Sequence, residues 1–168
     1  EKERLAQVAC ECLHLDCPAP DLRDWSEMVT AIKHPTSEVT IALVGKYTSL
    51  HDAYISVVEA LKHGGISCRC IVNILWVDSE KVDKEHAAEI LGNVDGILVP
   101  GGFGDRGIDG MLAAIEYART NSIPYLGLCL GMQLAIVEFA RHVIGYSDAH
   151  SVELDPSTAH PVISLMPD

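Results

Sequence analysis

The chain has 168 residues and a formal charge of −12, with 24 acidic against 12 basic side chains. That length makes one compact domain with a sizeable core, or a domain plus an extension. The acidity argues against nucleic acid and anionic membrane surfaces as partners, because both would repel it. No apolar run approaches the roughly 20 residues a membrane helix needs. The six cysteines show neither a secretory signal nor a disulfide framework of spacings, so the expected compartment is a reducing cytosol.

Residues 3–15 place Leu5, Val8, Ala9 and Cys12 on one face of an amphipathic helix, which Pro18 and Pro20 stop. From Asp21, an expected N-cap, Leu22, Trp25, Val29 and Ile32 repeat the helical spacing, and Lys33–Ser37 reads as a linker. Two short helices do not make a domain, so a domain is expected over residues 37–168 with 1–36 ahead of it. Cys10, Cys12 and Cys17 lack a fourth zinc ligand at suitable spacing, and Cys12 fits the packed helix face, so no metal is expected.

Val39–Val44 has the profile of a buried parallel strand. Asp52 is expected to cap a helix striped by Tyr54, Val57, Val58 and Leu61 and stopped by Gly64-Gly65. A second strand falls within Cys68–Val77, where Cys68 and Cys70 would alternate to opposite faces. A weak helix at Lys84–Leu91 precedes the strand Gly96–Val99, and Ile108, Met111, Leu112 and Ile115 stripe the next helix. Pro124–Leu128 reads as a fourth strand, residues 131–142 as its helix, and Pro161–Met166 as one more strand. This βαβαβαβα order predicts an α/β fold: a three-layer parallel sheet with helices on both faces and its site at the carboxyl ends of the strands.

Two motifs sit at those ends. In Gly127-Leu128-Cys129-Leu130-Gly131 a thiol stands between strand and helix, with small residues two before and two after it, the pattern of a nucleophile elbow. A helix N-terminus favours anions and so enriches the thiolate that attacks carbonyls. The other motif, Pro100-Gly101-Gly102-Phe103-Gly104, follows a strand but has neither dinucleotide nor P-loop spacing. It suits an oxyanion hole, in which the amides of Gly102 and Leu130 would receive a developing negative oxygen. A cysteine beside two such donors points to acyl transfer.

These motifs resemble the signatures of class I, triad-type glutamine amidotransferases. Val44-Gly45-Lys46-Tyr47, Asp52-Ala53-Tyr54, Glu59–Gly65 and Ala140-Arg141-His142-Val143 are similar to CTP synthases in particular, from about Ser37 onward. The resemblance implies a flavodoxin-like glutaminase that hydrolyses L-glutamine at Cys129 and supplies ammonia for ATP-dependent amination of UTP. It implies Gly102 and Leu130 as oxyanion amides and Phe103 as a pocket wall, with Gly131, Met132 and Gln133 beside them. Gln133 would contact glutamine, Glu153 would receive the substrate's α-ammonium, and Arg106 would serve the GTP effector or a mobile lid. Residues 1–36 would be the tail of an amidoligase domain and its connection. ATP and Mg²⁺ would bind in that domain, this segment would hold no cofactor, and the full protein would be a homotetramer.

The family's base and its orienter are a histidine and a glutamate two residues apart, well downstream of the cysteine. His160-Pro161 is followed by Val162, so it does not supply that pair, and His142 and His150 read as solvated. The 168-residue polypeptide is therefore expected to hold a nucleophile and oxyanion donors without their base, and to turn glutamine over poorly. Two alternatives stand beside this expectation. One is the glutaminase of another biosynthetic amidotransferase; the other is a catalytically incomplete docking or oligomerisation module.

Overall fold

The structure, a computed structural model, describes residues 3–166. Helices α1 (Leu5–Cys12) and α2 (Arg23–Lys33) come first, followed by strand β1 (Ser37–Gly45) and helix α3 (Ile55–Ser67). Then follow β2 (Cys70–Asp78), α4 (Ala87–Leu91), β3 (Gly96–Val99), α5 (Ile108–Thr120), β4 (Tyr125–Gly127) and α6 (Leu130–Phe139). A small parallel pair, β5 (His150–Ser151) and β6 (Pro161–Ile163), ends the described chain.

The four longer strands form one parallel sheet in the order β2-β1-β3-β4. Period-two alternation divides its side chains between two layers. Ala42, Val44, Ile97 and Val99 pack with α4, α5 and α6, whereas Leu43 and Leu98 pack with Tyr54, Val57, Val58 and Leu61 on the α3 side. The expected sheet with helices on both faces is thus present. Strand order reverses at β1, which has β2 on one side and β3 on the other. The carboxyl ends of β1 and β3 therefore flank a topological switch point, where such sheets open a crevice.

Several boundaries differ from the sequence expectation. Helix α3 does not stop at Gly64-Gly65 but runs through both to Ser67. Gly65 is there for proximity, since a Cβ on it would lie 2.7 Å from both the Cys70 carbonyl oxygen and Val72 Cγ2. Asp52 belongs to a 3-10 turn, His51–Tyr54, that precedes α3. Cys68 lies at the end of α3 rather than in a strand, and it and Cys70 are free thiols. Helix α6 passes at Phe139 into a π turn, Ala140–Ile144. Helix α1 buries none of its residues, so Cys12 is exposed rather than packed. Among the described residues no helix is long and apolar enough to cross a membrane.

Candidate functional site

Cys129 is built into a strained corner. Leu128 N–H donates to Val99 O (2.9 Å), extending the β3–β4 pairing by one residue before the chain turns. Cys129 then takes φ 50° and ψ −103°, a conformation L-residues avoid at about 1–3 kcal/mol, and α6 begins at Leu130. Both glycines of the motif are sterically required. A Cβ on Gly127 would lie 2.5 Å from the Gly131 carbonyl carbon and the Met132 nitrogen, and one on Gly131 would collide with Val99 O. Tyr125 Oη donates to Gly131 O (2.8 Å), pinning the first turn of α6 to β4. Burial raises the Tyr125 phenol, which keeps that donor protonated. The corner leaves Cys129 exposed as a free thiol at the carboxyl end of β4.

The glycine loop lies against this corner. A Cβ on Gly101 would stand 3.6 Å from Cys129 Cβ, and one on Gly102 would stand 3.5 Å from Leu130 Cδ2. Among the described residues the Gly102 and Leu130 amides donate to no backbone oxygen. Leu130 is also the first residue of α6, where amides have no intrahelical acceptor. The structure thus gathers Gly101, Gly102, Cys129 and Leu130 at one edge of the sheet.

A clamp from the end of β1 holds the loop. Lys46, only 5 % exposed, directs Nζ to Phe103 O (3.0 Å) and to Gly104 O. Its stem lines Gly102, whose added Cβ would lie 3.6 and 3.7 Å from Lys46 Cδ and Cε. Arg106, on the far side of the loop, donates to Lys46 O (2.8 Å) and to Glu80 Oε2 (2.6 Å). Its guanidinium also stands 5.6 Å from the centre of the Tyr47 ring. Burial, and then the Arg106 charge, lower the Lys46 pKa from the ordinary lysine value. In the sequence Lys46 figures only within a stretch that carries the resemblance. Its place directly after the apolar run of β1, at the switch point, is the signal that could have singled it out.

The remaining expected residues are more scattered. Phe103 is 84 % exposed at the loop tip, Met132 is exposed on α6, and Gln133 is half-buried. Glu153 is exposed in the turn after β5, with its amide donating to Ser151 Oγ (3.3 Å). Leu154 and the β6 residues Val162 and Ile163 tie that segment to the core containing Leu130 and Leu134. The histidines have other partners: His160 Nδ1 lies 2.6 Å from Asp148 Oδ1, and His142 Nδ1 lies 3.1 Å from Glu138 Oε1.

One cluster has metal-ligand spacing. Donor atoms of Glu116, Glu138 and His142 lie within 4.8 Å of one another. Both carboxylates already have cations: Arg119 makes a bidentate contact with Glu138 (2.8 and 2.9 Å), and Lys84 Nζ lies 2.7 Å from Glu116 Oε2. A divalent ion there would face two resident positive charges, so the group functions as an ion-pair network tying α5 to α6.

The family model for glutamine amidotransferase class-I matches residues 49–162, which include the elbow and the glycine loop. CTP synthase of Clostridium beijerinckii is 57 % identical over 166 residues, covering 99 % of this chain and 31 % of the relative. CTP synthase of Caldanaerobacter subterraneus subsp. tengcongensis is 56 % identical over all 168 residues, again 31 % of its length. A solved structure, the glutaminase domain of Trypanosoma brucei CTPS with bound acivicin, matches with a TM-score of 0.72 at 45 % identity. That match covers 76 % of this chain and 50 % of the other. The chain spans about a third of the length of the CTP synthases it matches. A parallel sheet, a strained cysteine corner with its glycine loop, and a family model covering both make the chain a member of the class-I glutamine amidotransferase family.

Proposed function

We propose that this chain is the glutamine-hydrolysing portion of a CTP synthase, with residues 37–168 contributing the glutaminase and residues 1–36 the end of the amidoligase domain and its connection. The Cys129 thiolate attacks the γ-carboxamide carbon of L-glutamine, forming the S–C bond while the carbonyl electrons move to oxygen. The free amides of Gly102 and Leu130 receive that oxyanion. The intermediate collapses with cleavage of the C–N bond; ammonia leaves with a proton from the base, and water hydrolyses the thioester to glutamate, restoring the thiol. A histidine and a glutamate outside these 168 residues serve as base and orienter, so the polypeptide alone holds a reactive thiol but turns over poorly. Phe103 and Gln133 line the glutamine site, the Glu153 carboxylate takes the α-ammonium, and Arg106 serves an effector or lid.

In the whole protein the ammonia aminates UTP at the expense of ATP with Mg²⁺, under GTP control, in a cytoplasmic homotetramer. The observation that carries the proposal is the exposed sulfur on a strained corner, flanked by two unpaired amides. The acivicin of the solved relative, a glutamine analogue, supports the substrate class. The test is ammonia release from L-glutamine by the full-length gene product and its C129S variant. Turnover should fall by more than about 10³-fold in C129S, while CTP formation from free ammonia continues. Glutamine hydrolysis that survives in C129S would refute the proposal.

A further inference from the structure

Lys46 has no role in the chemistry just described, yet it is a buried cation in contact with the loop that would receive the oxyanion. Its ammonium reaches the carbonyls of Phe103 and Gly104, and its methylene stem walls one side of Gly102. The Leu130 side chain also stands 3.5 Å from where the Gly102 Cβ would be. The loop itself has little internal stiffness: Gly101, Gly102 and Gly104 flank Phe103, and Gly104 adopts φ 72°. A carbonyl turned toward Lys46 fixes the plane of its own peptide, and the Lys46 stem beside Gly102 limits how that residue can turn, so one side chain restrains both ends of the loop. The Lys46 backbone is restrained in turn, since its amide donates to Tyr54 Oη (3.2 Å) and its carbonyl accepts from Arg106.

We propose that Lys46 is a positioning residue for glutamine hydrolysis: its buried ammonium holds the Phe103 and Gly104 carbonyls so that the Gly102 amide faces the oxyanion formed at Cys129. Lys46 acts through the loop, whose Phe103 and Gly104 carbonyls its Nζ holds. The proposal rests on glutamine hydrolysis at Cys129. It places the effect in the tetrahedral state rather than in ground-state binding, because the donor is aimed at an oxygen that bears full charge only there.

The experiment compares the full-length gene product with its K46M and K46R variants in three measurements. These are kcat and KM for L-glutamine, the dissociation constant of L-glutamate γ-semialdehyde, and the rate at which iodoacetamide alkylates Cys129. The aldehyde probes the oxyanion donors directly. The thiol adds to its carbonyl carbon, the π electrons move to oxygen, and that oxygen takes the thiol's proton, giving a hemithioacetal that mimics the tetrahedral state. Iodoacetamide displaces iodide at a saturated carbon and needs no oxyanion donor. K46M keeps the stem beside Gly102 and removes the ammonium, so kcat should fall about 10- to 100-fold with KM within about twofold. The aldehyde's dissociation constant should rise by a matching factor and the iodoacetamide rate should stay unchanged.

K46R, which restores a donor of different shape, should recover part of both losses. Should K46M fail to accumulate, K46R carries the test through a parallel fall in kcat and aldehyde affinity. Unchanged kcat and aldehyde affinity would overturn the proposal, as would KM, aldehyde affinity and alkylation rate all worsening together. A wild-type protein that releases no ammonia from glutamine would instead contradict the glutaminase assignment itself.

Discussion

The most informative residue is Cys129, because it occupies a backbone conformation suited to glycine. Strain of this kind persists only where surrounding structure over-determines it, and the neighbours that do so are visible. The Gly131–Val99 and Gly127–Met132 approaches leave the chain no relaxed path between β4 and α6. A side chain at position 129 therefore costs stability whatever its chemistry, and removing it separates the two effects. C129G should be about 1 kcal/mol more stable than C129A, because glycine takes φ 50° without the Cβ penalty while alanine retains it. Urea unfolding midpoints of the two variants check this, and both should lack reactivity toward a glutamine-analogue electrophile. The corner was legible in the sequence from Gly127 and Gly131 around Cys129 at the junction of an apolar run with a helical stretch, backed by the second glycine motif. For Lys46 only its place after the β1 run was legible; its burial was not, because that arises when the glycine loop folds over it.

Among the elements, the pairing of α5 with α6 rests on an unusual contact. Glu138 is 1 % exposed on the inner side of α6, with a bidentate partner in Arg119 on α5 and His142 one turn on. Helical periodicity alone does not reveal it, because a glutamate within an apolar helix reads as a solvent-facing position until its partner on another element is known. Replacing Arg119 with methionine leaves a buried carboxylate with its strongest partner gone. Since Arg119 is itself 34 % exposed and water reaches it, the loss should be about 3 kcal/mol, at the low end for buried pairs. A drop in the urea midpoint of R119M tests this, and R119K should recover only part of it.

Strand β5 adds a pH term. His150 Nδ1 accepts the Ser151 amide (2.9 Å), and burial, followed by the Arg141 charge, lowers the His150 pKa. With the folded value below the unfolded one, its contribution is fully present above about pH 6.5. It is lost as pH falls through the lower folded value. The difference in stability between wild type and H150N should therefore shrink on acidification from pH 7.5, read from urea unfolding at each pH. A difference that grows toward low pH would reverse the sign and contradict the assignment.

For the whole molecule, topology does what no single motif can. The reversal of strand order at β1 brings the ends of β1, β3 and β4 to one edge, so Lys46, the glycine loop and Cys129 meet although they are far apart in sequence. That layout was readable from the strand–helix alternation and from the motifs at the strand ends. The run of α3 through Gly64-Gly65 and the partners of the histidines were not, because each depends on a contact from another element: Cys70 and Val72 beside Gly65, Asp148 beside His160. Surface is left over as well. Met132, Ile136, Phe139 and Val143 run exposed along α6 and its π turn. If the proposed function holds, this edge presents one particular sulfur to glutamine. The most direct measurement treats the full-length gene product with an electrophilic glutamine analogue and maps the adduct by peptide mass spectrometry, with and without L-glutamine. One adduct per chain on Cys129, suppressed by glutamine, is the predicted result; modification elsewhere with Cys129 untouched, or labelling indifferent to glutamine, would contradict it.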